Sequence, residues 1–116
     1  MRPEEGDLAY VWDMRRFARE VQESVRGVTY ERFANAWQLR RAVERSIEIV
    51  GEAASHVSTE YRLLHPEIPW NAIVAQRNIL AHGYGDIRDD AIWRVATIRI
   101  PELLELLSPL LDGDEG

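Results

Sequence analysis

Apolar residues recur every three or four positions along almost the whole 116-residue chain, and no stretch alternates apolar with polar side chains as a half-buried strand would. That single period confines the chain to an all-helical fold. Leu8, Val11, Trp12, Met14, Phe17, Ala18, Val21 and Val25 mark one broad stripe, predicting a helix over Asp7 to Val25 with Gly27 as its terminator. Thr29 reads as the N-cap of a short helix through Phe33 and Ala34, with Arg32 standing where a capping box would carry Glu. A longer helix is expected from about Trp37 to His56, with Leu39, Val43, Ile47, Val50 and Ala54 on one side. Arg40, Arg41, Glu44, Arg45 and Glu48 fall mostly on the other side, and their mixed spacings describe a solvated face rather than a salt-bridge ladder.

Ser58 can cap a short segment reaching Leu64, which Pro66 and Pro69 then break. Trp70 or Asn71 starts another helix running to about His82, and Gly83 to Asp86 forms a turn. Asp86 or Asp89 can cap the last helix, in which Pro101 crowds the carbonyl of Thr97 and should kink the chain there. The expected architecture is one antiparallel all-α bundle of four to five helices over residues 1–111, with 112–116 as a frayed acidic tail.

Composition removes several classes of chemistry. With no cysteine there is no disulfide framework, thiolate zinc site or thiol nucleophile, which fits a reducing, cytoplasmic setting. No apolar run approaches the roughly 18 residues of a membrane span, and the MRPEEGDLAY start has acids where a secretory leader would be basic and then apolar. All 14 basic residues are arginine, a pattern that codon usage in a GC-rich genome accounts for. The net charge of −6 argues against broad nucleic-acid binding, so any such contact should be local and made by a few arginines in a cleft.

His56, His65 and His82 show no metal-binding spacing, no phosphate-cradling glycine loop is present, and no serine sits in a nucleophile elbow; neither a metal nor a cofactor is expected. The remaining segment is Arg77-Asn78-Ile79-Leu80-Ala81-His82-Gly83-Tyr84. On a helix Asn78 and His82 share a face, so the amide could orient the imidazole, while Arg77 and His82 lie about 140° apart and would flank a groove. His82 falls in the last turn, where the helix dipole favours imidazolium. Histidine to move a proton and arginine to hold a phosphate are the minimum for metal-free RNA cleavage, in which the 2′-hydroxyl is the nucleophile. The spacing alone is short, and a histidine before a terminating glycine also serves simply to satisfy end carbonyls. His56 reads as a helix-face residue, His65 as a loop residue, and Trp12, Trp37, Trp70 and Trp93 as core or subunit interface.

The chain resembles the HepT-type toxins of the HEPN superfamily, ribonuclease partners of MNT-type minimal nucleotidyltransferases. The likeness runs from Asp13-Met14 through Ile49-Val50-Gly51-Glu52-Ala53-Ala54 and Pro66-Glu67-Ile68-Pro69-Trp70 to Ile92-Trp93 and Ile100-Pro101-Glu102-Leu103. Arg77, His82 and Tyr84 match the family motif Arg-x4-His-x-Tyr, and Asn78 is of the favoured type; His65 and Arg88 are small departures outside the motif. The resemblance implies a two-fold homodimer whose Arg77 and His82 pairs line one cleft, and metal-independent cleavage of cellular RNA. It also implies an MNT-type antitoxin, with which larger hetero-oligomers can form, and neutralisation by adenylylation of Tyr84, which would set bulk and negative charge beside the arginine. Two other readings stand beside it: a non-catalytic module in which Arg77 and His82 bind a nucleotide or a partner, and a purely structural subunit of a nucleotidyltransferase complex.

Overall fold

The computed structural model describes residues 2–3, 6–82 and 89–112, with the side chains of 79–82 left outside the description. The described chain is helical throughout its ordered elements: α1 (Asp7–Val25), α2 (Tyr30–Asn35), α3 (Trp37–Ser55), α4 (Thr59–Leu64), α5 (Trp70–His82), α6 (Asp89–Arg94), a π turn (Val95–Arg99) and α7 (Ile100–Asp112). Because α6, the π turn and α7 run on without a break, the bundle consists of four long helical rods and two short helices. The boundaries obey the local chemistry read from the sequence. Thr29 Oγ1 accepts from the Arg32 amide at 3.2 Å and caps α2. Ser58 Oγ accepts from the Tyr61 amide at 3.1 Å and caps α4. Gly27, just beyond α1, takes φ +71°, a backbone conformation that an L side chain resists.

Helix α3 is the centre of the bundle, packed on α1 along one side and on α5 along another, while α7 closes on α1. Val11, Met14, Ala18 and Val21 of α1 meet Val43, Ile47, Val50 and Ala54 of α3 in one core with Leu103, Leu104 and Leu107 of α7. Phe33 from α2 and Ile68 from the proline break plug its two ends, each almost wholly buried. Polar links at the periphery fix how the rods are set. Asp7 at the start of α1 accepts from both the amide and the hydroxyl of Ser58, each at 2.7 Å. Arg15 reaches Asp112 at 2.9 Å, so that residue, expected to begin a frayed tail, ends α7 in an ion pair; residues 113–116 lie outside the described residues.

The expected departure at Pro101 takes the form of the π turn. Proline has no amide hydrogen to give Thr97, and its ring crowds that carbonyl. The helix responds by widening, so that the Ile100 amide donates to Val95, five residues back. Thr97 turns its own hydroxyl onto the carbonyl of Trp93 at 2.7 Å.

The polar face of α3 does more than meet water. Arg40 pairs with Asp89 at 3.1 Å and also donates to the Ala34 carbonyl, tying α3 to the start of α6 and to the end of α2. Glu44 stands in the same neighbourhood, and partial burial pushes its carboxyl above the usual carboxylate range; Asp89 pushes the same way, while Arg41 and Arg40 pull it down.

This packing sets measurable stabilities. Phe33→Ala should cost about 3–5 kcal/mol in urea unfolding, because it empties a sealed site. Leu64→Ala, at a side chain 74% exposed, should change stability by less than ~0.5 kcal/mol. Glu44 gives a pH signature. Its folded pKa is raised, so the folded state holds its proton more tightly, and stability falls as pH rises from the unfolded carboxylate range through the folded value. Glu44→Gln should therefore raise the midpoint of thermal unfolding at pH 7 and leave it unchanged below about pH 4, where both states are protonated.

Candidate functional site

The two prolines that break the chain also aim α5. After Pro69, the buried Trp70 donates its indole N–H to the His65 carbonyl at 2.9 Å, and the Ile73 amide donates to the Pro69 carbonyl at 3.1 Å. The start of α5 is thereby pinned. From there Ile73 and Val74 turn toward the core, and Arg77 continues that stripe one turn further on. An arginine on the inward stripe of a helix is unusual, since its head must be kept polar while its stem is packed.

The structure solves this with Gly51 of α3. A β-carbon on residue 51 would lie 3.0 Å from the Arg77 Cγ and 3.0 Å from the Ile73 carbonyl oxygen, and far inside contact distance of the Arg77 Cβ. Only a glycine admits α5 this close, and the stem of Arg77 fills the room where a side chain would otherwise stand. At the head, Arg77 Nη1 donates to Asn78 Oδ1 at 2.9 Å. The Nε of Arg77 is buried without a hydrogen-bond partner, the one such side-chain atom among the described residues.

Of the site residues expected from the sequence, Arg77 and Asn78 lie together, with Asn78 Oδ1 accepting from the guanidinium, while the expected contact of Asn78 with His82 involves a side chain outside the description. The backbone of His82 is the last residue of α5, one turn and a half beyond Arg77; its side chain is outside the description. Tyr84 and Arg88 lie outside the described residues. His56 ends α3 and stacks on the ring of Tyr10, with centroids 5.1 Å apart. His65 packs against Tyr61 at 4.5 Å and stands 3.6 Å from Glu67. Among the described residues no group of three or more His, Asp or Glu side chains could hold a metal ion. Trp70 is core and Trp93 packs on Phe33, but Trp37 is 62% exposed in the single chain.

A groove of about 460 Å³ runs between α3, α5 and the α6–α7 rod, and Arg77 is not among its lining residues. Ile47, Val50, Ile73 and Leu103 line it with apolar surface, and Gln76, Arg94, Arg99 and Glu102 supply its polar lining, with Arg99 and Glu102 paired at 3.7 Å. A larger depression of about 680 Å³ lies at the corner of α2 and α3, around Trp37, Arg26 and Arg32, away from the elements that carry Arg77. Gly51 is the site residue that sequence reasoning misses, because it stands there only as part of a run shared with other proteins. Its signal is present all the same: a glycine between Val50 and Glu52, inside a helix that glycine weakens, marks a close approach.

Known proteins share this chain's pattern over most of its length. The family model described as "Ribonuclease HepT-like" matches residues 14–110. A candidate RNase of Methanocaldococcus jannaschii is 33% identical over 82% of this chain and 87% of its own length. A candidate RNase of Caldanaerobacter subterraneus is 34% identical over 80% of this chain and 83% of its own. A protein of Thermococcus cleftensis, described as a candidate ribonuclease HepT, is 31% identical over 81% and 86%. No solved structure matches. No helix among the described residues is long and apolar enough to cross a membrane.

Proposed function

The chain belongs to the HepT-like ribonuclease family, and from that premise we propose that it is the toxin of a HEPN/MNT pair, a metal-independent endoribonuclease acting in the cytoplasm as a two-fold homodimer. The observation that carries this reading is the fixed guanidinium of Arg77 on the same helix as His82, five residues before it. A held arginine is suited to a charge that grows during the reaction, since it need not reorganise as the phosphate changes shape.

The chemistry balances without a metal. One His82 takes the proton of the substrate 2′-hydroxyl as its oxygen bonds to phosphorus, and Arg77 offsets the charge on the phosphorane. The bond from phosphorus to the 5′-oxygen then breaks, and that oxygen takes a proton from a second imidazole. The products are a 2′,3′-cyclic phosphate and a free 5′-hydroxyl. Each chain has one motif histidine, so supply of both proton-transfer groups favours a cleft shared by two copies. In the groove beside α5, Arg94 is the arginine left to meet flanking RNA, since Arg99 pairs with Glu102 at 3.7 Å. On this reading an MNT-type nucleotidyltransferase silences the site by adenylylating Tyr84, which adds negative charge two residues from His82 and opposes entry of the phosphate chain.

Purified protein incubated with RNA in excess EDTA should cleave it and leave cyclic phosphate ends. His82→Ala should lower the rate by about 10²–10⁴-fold, and Arg77→Ala by about 10²–10³-fold. Absence of cleavage by clean protein would instead favour the non-catalytic module, in which the same two residues bind a nucleotide or partner. The neutralisation step has its own readout. Co-expression with an MNT-type nucleotidyltransferase partner should add the mass of an AMP group to Tyr84, and Tyr84→Phe should abolish both that shift and the inhibition. Inhibition unchanged in Tyr84→Phe would overturn the modification model.

A further inference from the structure

We infer that Gly51 is a positioning residue for Arg77: it sets the distance between α3 and α5 at which the stem of Arg77 is locked and its guanidinium is held in place. The inference rests on the ribonuclease reading above and goes further, to a residue on a different helix that bears no functional group.

Three observations converge on it. The stem of Arg77 occupies the space over Gly51, so its first two side-chain carbons are fixed by the backbone of α3. The same hypothetical β-carbon would press on the Ile73 carbonyl, which is main chain and has no rotamer to yield, so any larger residue must move α5 itself. Beyond the stem, Asn78 Oδ1 accepts from Nη1 and holds the head. The Nε between stem and head is buried and has no acceptor. A dry, unpartnered N–H on a charged group is costly, so it is the packing of the stem over Gly51 that keeps the side chain in this path.

The test is Gly51→Ala, assayed on RNA with Arg77→Ala and the double variant. Displacing the guanidinium by about an ångström should lower kcat on the order of 100-fold, with KM within about twofold, because the arginine serves the transition state. In the Arg77→Ala background, Gly51→Ala should still lower the unfolding midpoint yet cause no further loss of rate. Losses that multiply would overturn the inference and make Gly51 a purely structural residue. A second measurement does not depend on activity: nitrogen-15 spectroscopy of the arginine Nε–H groups. In the unsubstituted protein the Arg77 signal should exchange with water at least about tenfold more slowly than that of the exposed Arg16, and Gly51→Ala should shift or broaden it. If Gly51→Ala does not fold, the exchange rate in the unsubstituted protein decides, and a rate matching Arg16 overturns the inference. If the protein cuts no RNA while the protected signal is present and moves in Gly51→Ala, the ribonuclease reading fails and the positioning geometry stands.

Discussion

Everything in this structure depends on α3 serving two neighbours at once. Toward α1 it offers Val43, Ile47, Val50 and Ala54, a volume-filling stripe of the kind that holds helices at ordinary spacing. Toward α5 it offers Gly51, which removes volume and lets the second helix approach closely. The first contact belongs to the continuous apolar core, so the bundle can tolerate the second. The cost of a mid-helix glycine and of a half-buried arginine is absorbed by a core that includes Met14, Phe33 and Leu107, each nearly inaccessible to water. The division of labour is physical: one face of α3 stabilises, the other positions.

The same logic explains the long C-terminal rod. A straight helix from Asp89 to Asp112 would need Thr97 to receive an amide hydrogen from residue 101, which proline lacks. Widening to a π turn keeps Ala96 and Ile100 buried while shifting the register of α7. The turn also brings Val95, Arg94 and Arg99 to the groove beside α5. A backbone irregularity imposed by one proline thus shapes the groove beside α5.

Much of this is legible in the sequence, and the reason is that its signals are local. Helix ends are written in side chains that bond to their own backbone, so Thr29, Ser58 and Gly27 can be read without knowing the fold. The inward stripes of α1 and α3 come from period alone, as does the placement of Arg77 and His82 on one helix. What stays hidden is long-range. The link from Asp7 to Ser58 spans 51 residues and that from Arg15 to Asp112 spans 97, and neither has a local pattern. The bond from Arg77 to Asn78 is likewise absent from the spacing, because residues one apart do not face each other on a free helix and the path of Arg77 is set by its stem packing on α3.

The acidity of the chain, which weighs against a nucleic-acid enzyme when taken as a whole, acquires a different meaning once the arginine is seen to be held. A protein of charge −6 repels RNA over the Debye length, so affinity from general attraction is poor. Such a protein gains little from additional mobile cations at its surface, because many are already engaged: Arg15 with Asp112, Arg40 with Asp89, Arg45 with Glu48. On the ribonuclease reading proposed above, it gains more from one guanidinium whose stem is pre-set and whose bonds strengthen as charge gathers on a phosphorane. On that reading, weak ground-state attraction combined with a rigid transition-state contact keeps binding energy for the chemical step.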